Sequence, residues 1–119
     1  MRFLSMIRAS ENSGLVPSAQ MMADMGMLMR EMSAAGVLLD TAGLRPTAEG
    51  ARLRLRHGKL SVTDGPFAES KEVVGGFAIL QAGSREEAIG SIRRFLGVHG
   101  DEWDIECELR QLDEPVFPA

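Results

Sequence analysis

The chain has no tyrosine, one tryptophan, one cysteine and two histidines among its 119 residues, and each shortage removes a class of chemistry. Cys107 alone can form no internal disulfide and no thiolate cluster, and a single thiol suits a reducing cytoplasm. Aromatic content of 5% leaves little to stack bases, and a net charge of −4 repels a phosphate backbone. Nucleic acid is therefore not expected as a partner, although Arg45, Arg52, Arg54, Arg56 and Lys59 gather in one region. No stretch approaches the roughly 20 apolar residues that cross a bilayer. The opening run Met1-Arg2-Phe3-Leu4-Ser5-Met6-Ile7-Arg8 meets charge too early for the apolar core of a signal peptide. The expectation is a cytoplasmic protein with no membrane partner. Metal-ligand spacing, nucleophile elbow, phosphate loop and dinucleotide fingerprint are all missing, so neither metal nor cofactor is expected.

What remains has an ordinary globular balance, 45% hydrophobic and 25% charged, which places the chain away from the disordered corner of composition. Residues 1–119 are the size of one domain. The acids crowd the end of the chain, at Asp101, Glu102, Asp104, Glu106, Glu108, Asp113 and Glu114. Facing the basic middle across a subunit interface, they would complement it; they serve equally as a solvated face.

Residues 2–8 carry apolar side chains on both faces, Phe3 and Ile7 on one and Leu4 and Met6 on the other, as a central strand does. Ser18 is an N-cap for a helix running to about Ala35, with Met21, Met25, Leu28, Met32 and Ala35 on one stripe and Gly36 as the stop. The stripe reads as helix-on-sheet packing; Met22, Met27 and Met29 flank it and can serve a pocket or a dimer contact. A second strand begins at Val37-Leu38-Leu39 and loosens near Gly43 and Pro46. Alternation on either side of His57-Gly58 marks a hairpin over residues 52–63, with Leu55 opposite Leu60 and Leu53 opposite Val62, and Arg52, Arg54, Arg56 and Lys59 on the other face. Residues 73–80 are almost continuously apolar and read as a second central strand, in which Gly75 and Gly76 signal a bulge or a close backbone approach. Ser84-Arg85-Glu86-Glu87 is a capping box for a second helix that presents Ala88, Ile89, Ile92, Phe95 and Leu96 and ends at Gly97. The last strand alternates, with Trp103, Ile105, Cys107 and Leu109 inward.

The order is an α+β, ferredoxin-like βαββαβ plan with an inserted β-hairpin. Two helices cover one face of such a sheet, so the other face needs a partner, and a second copy of the chain is the simplest.

Asp64-Gly65-Pro66-Phe67-Ala68-Glu69-Ser70-Lys71-Glu72, followed by Val73-Val74-Gly75-Gly76-Phe77, resembles the signature of the DGPF branch of the YCII-related family. Val62-Thr63, Ala35-Gly36-Val37-Leu38 and Val98-His99-Gly100 extend the likeness over most of the chain. The resemblance implies a dimeric α/β barrel, two ferredoxin-like sheets packed face to face with a pocket in each subunit. It also implies an accessory role linked to an extracytoplasmic-function sigma factor. Members of the wider superfamily thought to be enzymes rely on a His and Asp pair with the His on the first helix; residues 18–35 here hold no histidine.

Read from the residues, Asp64 either accepts bonds from the amides that follow and organises the hairpin exit, or carries a charge for a ligand. Gly65 tolerates positive φ, Pro66 fixes its own φ, and Phe67 anchors the loop in the core. Glu69, Ser70, Lys71 and Glu72 form a polar cluster, and Gly75 and Gly76 let a ligand approach the backbone; with Gly65, Pro66 and Phe67 they are the candidate ligand-binding residues. His99 caps the second helix or, paired with Asp64, does acid–base work; His57 falls at a hairpin tip. Three functions follow, one of them a purely structural interaction module. The first is a small-molecule-binding or regulatory accessory homodimer. The alternative is a cofactor-free enzyme acting on a small organic substrate in the barrel pocket, with Asp64 and His99 as its catalytic pair.

Overall fold

A computed structural model describes residues 1–67 and 72–114. The chain runs β1 (Arg2–Ala9), α1 (Ala19–Ala34), β2 (Leu38–Gly43), a single 3-10 turn (Thr47–Glu49), β3 (Ala51–Arg56), β4 (Lys59–Asp64), β5 (Val73–Gln81), α2 (Arg85–Leu96) and β6 (Glu106–Gln111). Four strands form one antiparallel sheet in the order β2-β5-β1-β6, while β3 and β4 pair only with each other. The two segments apolar on both faces, β1 and β5, are the central pair. The arrangement is compatible with a ferredoxin-like fold carrying an extra hairpin.

The local signals act as their chemistry requires. The Ser18 hydroxyl accepts from the Met21 amide at 3.1 Å and starts α1. Gly36, at φ 74°, ends it in the left-handed region that glycine tolerates. Ser84 accepts from the Glu87 amide at 3.2 Å, and the Glu87 carboxylate accepts in return from Gly83, one residue before the cap, at 2.8 Å. Glu86 and Glu87 in the first turn of α2 and Arg93 and Arg94 in its last complement the helix dipole. His57 at φ 50° and Gly58 at φ 78° make the two-residue turn whose backbone matches the twist of the flanking strands. Leu55 then faces Leu60 and Leu53 faces Val62. Among the described residues, no helix is long and apolar enough to cross a membrane.

Both helices lie on the same face of the sheet. The core is Phe3, Leu28, Met32, Leu38, Leu80, Ala82 and Ala88, with Met29, Ile92, Phe95 and Leu109 packed partly buried against it. Met29, which flanks the stripe, joins the core, whereas Ala35 is the exposed C-cap and leaves it. Ile7 lies opposite Cys107 and Ser5 opposite Leu109, so Cys107 points to the helix side. The inward pattern continues to Trp103 and Ile105 only as half-buried loop residues, because β6 begins at Glu106. Phe67 does not enter the core. It is half-buried near Gly50 at the hairpin base, with the Arg52 guanidinium 3.9 Å from its ring centroid.

The opposite sheet face carries Leu4 and Met6 beside Ile79 and Phe77, and no helix covers it. The hairpin is barer still: Leu53, Leu55, Leu60 and Val62 are 72%, 69%, 76% and 64% exposed.

Truncation separates the two kinds of methionine. Met32→Ala, at a 4% exposed position, should lower stability by about 2–4 kcal/mol in urea unfolding, whereas Met22→Ala, on the exposed side, should change it by less than about 0.5 kcal/mol. Cys107 is half-buried. Burial pushes its thiol up from the ordinary value, the Ser5 hydroxyl pulls the other way, and the Glu106 carboxylate adds to the rise. A thiol reagent near neutral pH should therefore label the native chain about tenfold more slowly than the urea-unfolded chain; equal rates would contradict the burial.

Candidate functional site

Chain segments distant in sequence meet beside the bulged start of β5. Ile7 pairs with Gly76 but Arg8 pairs with Val74, so Gly75 is an extra residue in the ladder. Its carbonyl is turned to accept the Leu44 amide at 2.9 Å, which brings the exit of β2 alongside. Gly76, buried in the sheet, is held so close that a Cβ there would lie 3.0 Å from the Ala42 carbonyl oxygen. Both readings of the glycine pair, bulge and close approach, hold.

The connection from β2 to β3 is fastened through Thr47. The Glu11 carboxylate accepts from the Thr47 amide at 2.6 Å and from its hydroxyl at 2.8 Å, while the Thr47 carbonyl accepts from Gly50 at 2.9 Å. Gly65 packs onto that same carbonyl so tightly that any Cβ would collide with it. Glycine is needed here for contact, not for positive φ, which Gly65 does not adopt. The Gly65 amide donates to the Gly50 carbonyl at 3.0 Å, and Pro66 has no amide to give. That main-chain bond and the Gly65–Thr47 contact tie down the hairpin exit. The Gly65–Pro66 peptide is cis.

These anchors leave a cleft of about 580 Å³, walled by the exit of β1 (Ala9 to Asn12), the β2–β3 connection (Leu44 to Pro46, with Ala48), Pro66 and the start of β5 (Val73 to Gly75). Its polar equipment is Ser10, Glu11, Asn12 and Arg45. The Arg45 guanidinium contacts Glu49 at 3.0 Å, and its side chain is 83% exposed, so the pair is worth little energetically.

The residues expected from sequence divide between several places. Pro66 and Gly75 line the cleft, Gly65 and Gly76 shape its base, and Asp64 sits exposed at the end of β4. Glu72 lines an adjacent groove with Ser10, Ser13, Glu102, Trp103 and Asp104. Glu69, Ser70 and Lys71 lie outside the described residues. His99 is elsewhere. Its Nδ1 meets the Phe95 carbonyl at 3.1 Å and the Leu96 carbonyl at 3.3 Å, the geometry of a helix C-cap. It lines a different cleft, which shares no residue with the one containing Pro66. Glu11, Asn12, Arg45 and Thr47 were not legible as site residues, since they stand in loop sequence without a motif and meet only through the fold.

A family model described as the YCII-related domain matches residues 1–95. The chain is also similar to a protein of Rhizobium meliloti (strain 1021), 39% identical over 74 residues, whose name says only that it is uncharacterised. The match covers 62% of this chain and 60% of that relative's length.

Two glycine substitutions should move stability in opposite directions. Gly65→Ala forces a methyl into the Thr47 carbonyl and should cost about 1–3 kcal/mol or more. Gly90→Ala, inside α2 with nothing within 4 Å of the added atom, should add about 0.5–1 kcal/mol. Denaturant midpoints check both, and a neutral Gly65→Ala would disprove the close contact.

Proposed function

The chain belongs to the YCII-related family, and from that premise we propose that it is a cytoplasmic homodimer that binds a small organic molecule in the cleft beside its Asp-Gly-Pro loop. The observation that carries the reading is the cleft itself. Its volume of about 580 Å³ falls within the range of roughly 300–1,000 Å³ typical of small-ligand sites. Two parts of the family signature, Pro66 and Gly75, stand in its wall. Arg45 and Asn12 are the groups that would fix a ligand's orientation.

The dimer follows from apolar surface with nothing to cover it. A two-stranded hairpin alone is marginal in water. Burying Leu53, Leu55, Leu60 and Val62 against a second copy would contribute about 6–12 kcal/mol, comparable with the roughly 4–15 kcal/mol that association costs. The half-buried face with Leu4, Met6, Phe77 and Ile79 adds to the gain and closes two sheets face to face as a dimeric α/β barrel. Binding is favoured over catalysis because the carboxylate in the cleft, Glu11, is committed to Thr47, and His99 lines another cleft. A ligand-binding dimer suffices for a regulatory accessory role beside an extracytoplasmic-function sigma factor.

Sedimentation at micromolar concentration should give a dimer, and Leu55→Asp with Leu60→Asp should give a folded monomer; a wild-type monomer would sink the assembly. A metabolite mixture screened by thermal shift should contain a stabilising compound. Arg45→Ala should weaken its binding about tenfold, roughly 1.4 kcal/mol, while leaving the ligand-free melting temperature nearly unchanged.

A further inference from the structure

A second cleft, of about 310 Å³, lies between the start of α1 and the segment after α2, and is lined by Pro17, Met21, Met22, Met25, His99 and Trp103. Its donor atoms are unusual in being soft and uncharged. Met21 and Met25 stand one helical turn apart on the same face, both half-buried, with Met22 at the mouth 64% exposed. The packing role of the methionine stripe is met further along α1 by Leu28 and Met32, so these thioethers are not consumed by the core.

His99 is prepared as a ligand. Carbonyl oxygens only accept, so the contacts of Nδ1 with Phe95 O and Leu96 O at 3.1 and 3.3 Å place the proton of the neutral ring on Nδ1. Nε2 then keeps its lone pair, and a carbonyl behind the opposite nitrogen is the arrangement that orients metal-binding imidazoles. Edge contacts with Phe95, at 5.0 Å and 70°, and with Trp103, at 5.6 Å and 72°, hold the ring plane.

We propose that this cleft binds a soft monovalent d10 cation, Cu(I) or Ag(I), through the thioethers of Met21 and Met25 and Nε2 of His99, with Trp103 as its wall. Thioether sulfur selects Cu(I) over hard divalent ions, which need carboxylate or carbonyl oxygen. Among the described residues, no carboxylate lines the cleft. A single positive charge among neutral, polarisable donors is cheap to desolvate compared with a divalent ion, and an indole wall adds cation–π attraction. The site is independent of the cleft beside Pro66.

The test uses the full chain with Cys107→Ser, which removes the one competing thiol, titrated with Ag(I) in chloride-free buffer. Trp103 is the sole tryptophan, so its emission reports the site. One Ag(I) per chain should bind with a saturable change in emission. Met21→Leu combined with Met25→Leu keeps volume and apolarity, so melting should hold, and affinity should fall by about tenfold or more; His99→Gln should act likewise. No saturable change, unaltered affinity in the double leucine variant, or Zn(II) binding as tightly as Ag(I) would each overturn the proposal.

Discussion

The pairing of β1 with β5 on one side and β6 on the other is the interaction on which the rest of the structure depends. It commits Phe3, 2% exposed, and Ser5, 4% exposed, to the helix face, and by the two-residue period of a strand it commits Leu4 and Met6 to the opposite one. Both helices then pack over Phe3 and Leu80 through Leu28, Met32 and Ala88. Nothing within the described residues is left to cover Leu4 and Met6. The hairpin cannot do so locally, since its own apolar side chains are more exposed than those of the sheet. The radius of gyration, 16.7 Å, exceeds the roughly 13.5 Å expected for a compact chain of this length, as a molecule with an outlying ribbon must.

Strand and helix identities were legible because each rests on a local pattern. The alternation through Leu53, Leu55, Leu60 and Val62 fixed the hairpin register around His57-Gly58 to the residue, and Ser18 and Ser84 marked both helix starts. The apolar runs at residues 2–8 and 73–80 identified the central strands before any pairing was known. The failures have a common cause. Trp103 and Ile105 continue the alternation of β6 but lie before its pairing begins, and Phe67 is large and apolar but lies at the hairpin base under Arg52. Side-chain character shows that a residue seeks cover, not which cover it finds.

The site was half legible for the same reason. Pro66 and Gly75 announce themselves because turn and bulge chemistry is local. Thr47 does not, since its importance comes from partners far away in sequence: Glu11 holds its amide and hydroxyl, Gly50 its carbonyl, and Gly65 rests against that carbonyl. Asp64 and His99 pair on chemical type, but Asp64 stands exposed at the end of β4 and His99 lines a cleft to which Asp64 does not contribute. Two titratable groups suited to one reaction carry no information about their distance until the strands that bear them are arranged.

Thr47 also explains why the conspicuous Asp-Gly-Pro segment can serve a cleft to which its aspartate contributes no wall. Gly65 has to be small for the hairpin exit to close on the β2–β3 connection. Pro66, next in the chain, lines the cleft together with Pro46, Ala48 and Gly75. Glu11 completes the arrangement from the loop after β1, so the cleft is braced by the connections around it and not by the core. Such a brace is built of exposed hydrogen bonds and one glycine contact, worth less than core burial and easier to deform. The bulge at Gly75 takes up the mismatch between loop and ladder, so the cleft is framed without disturbing the register of the sheet beyond it.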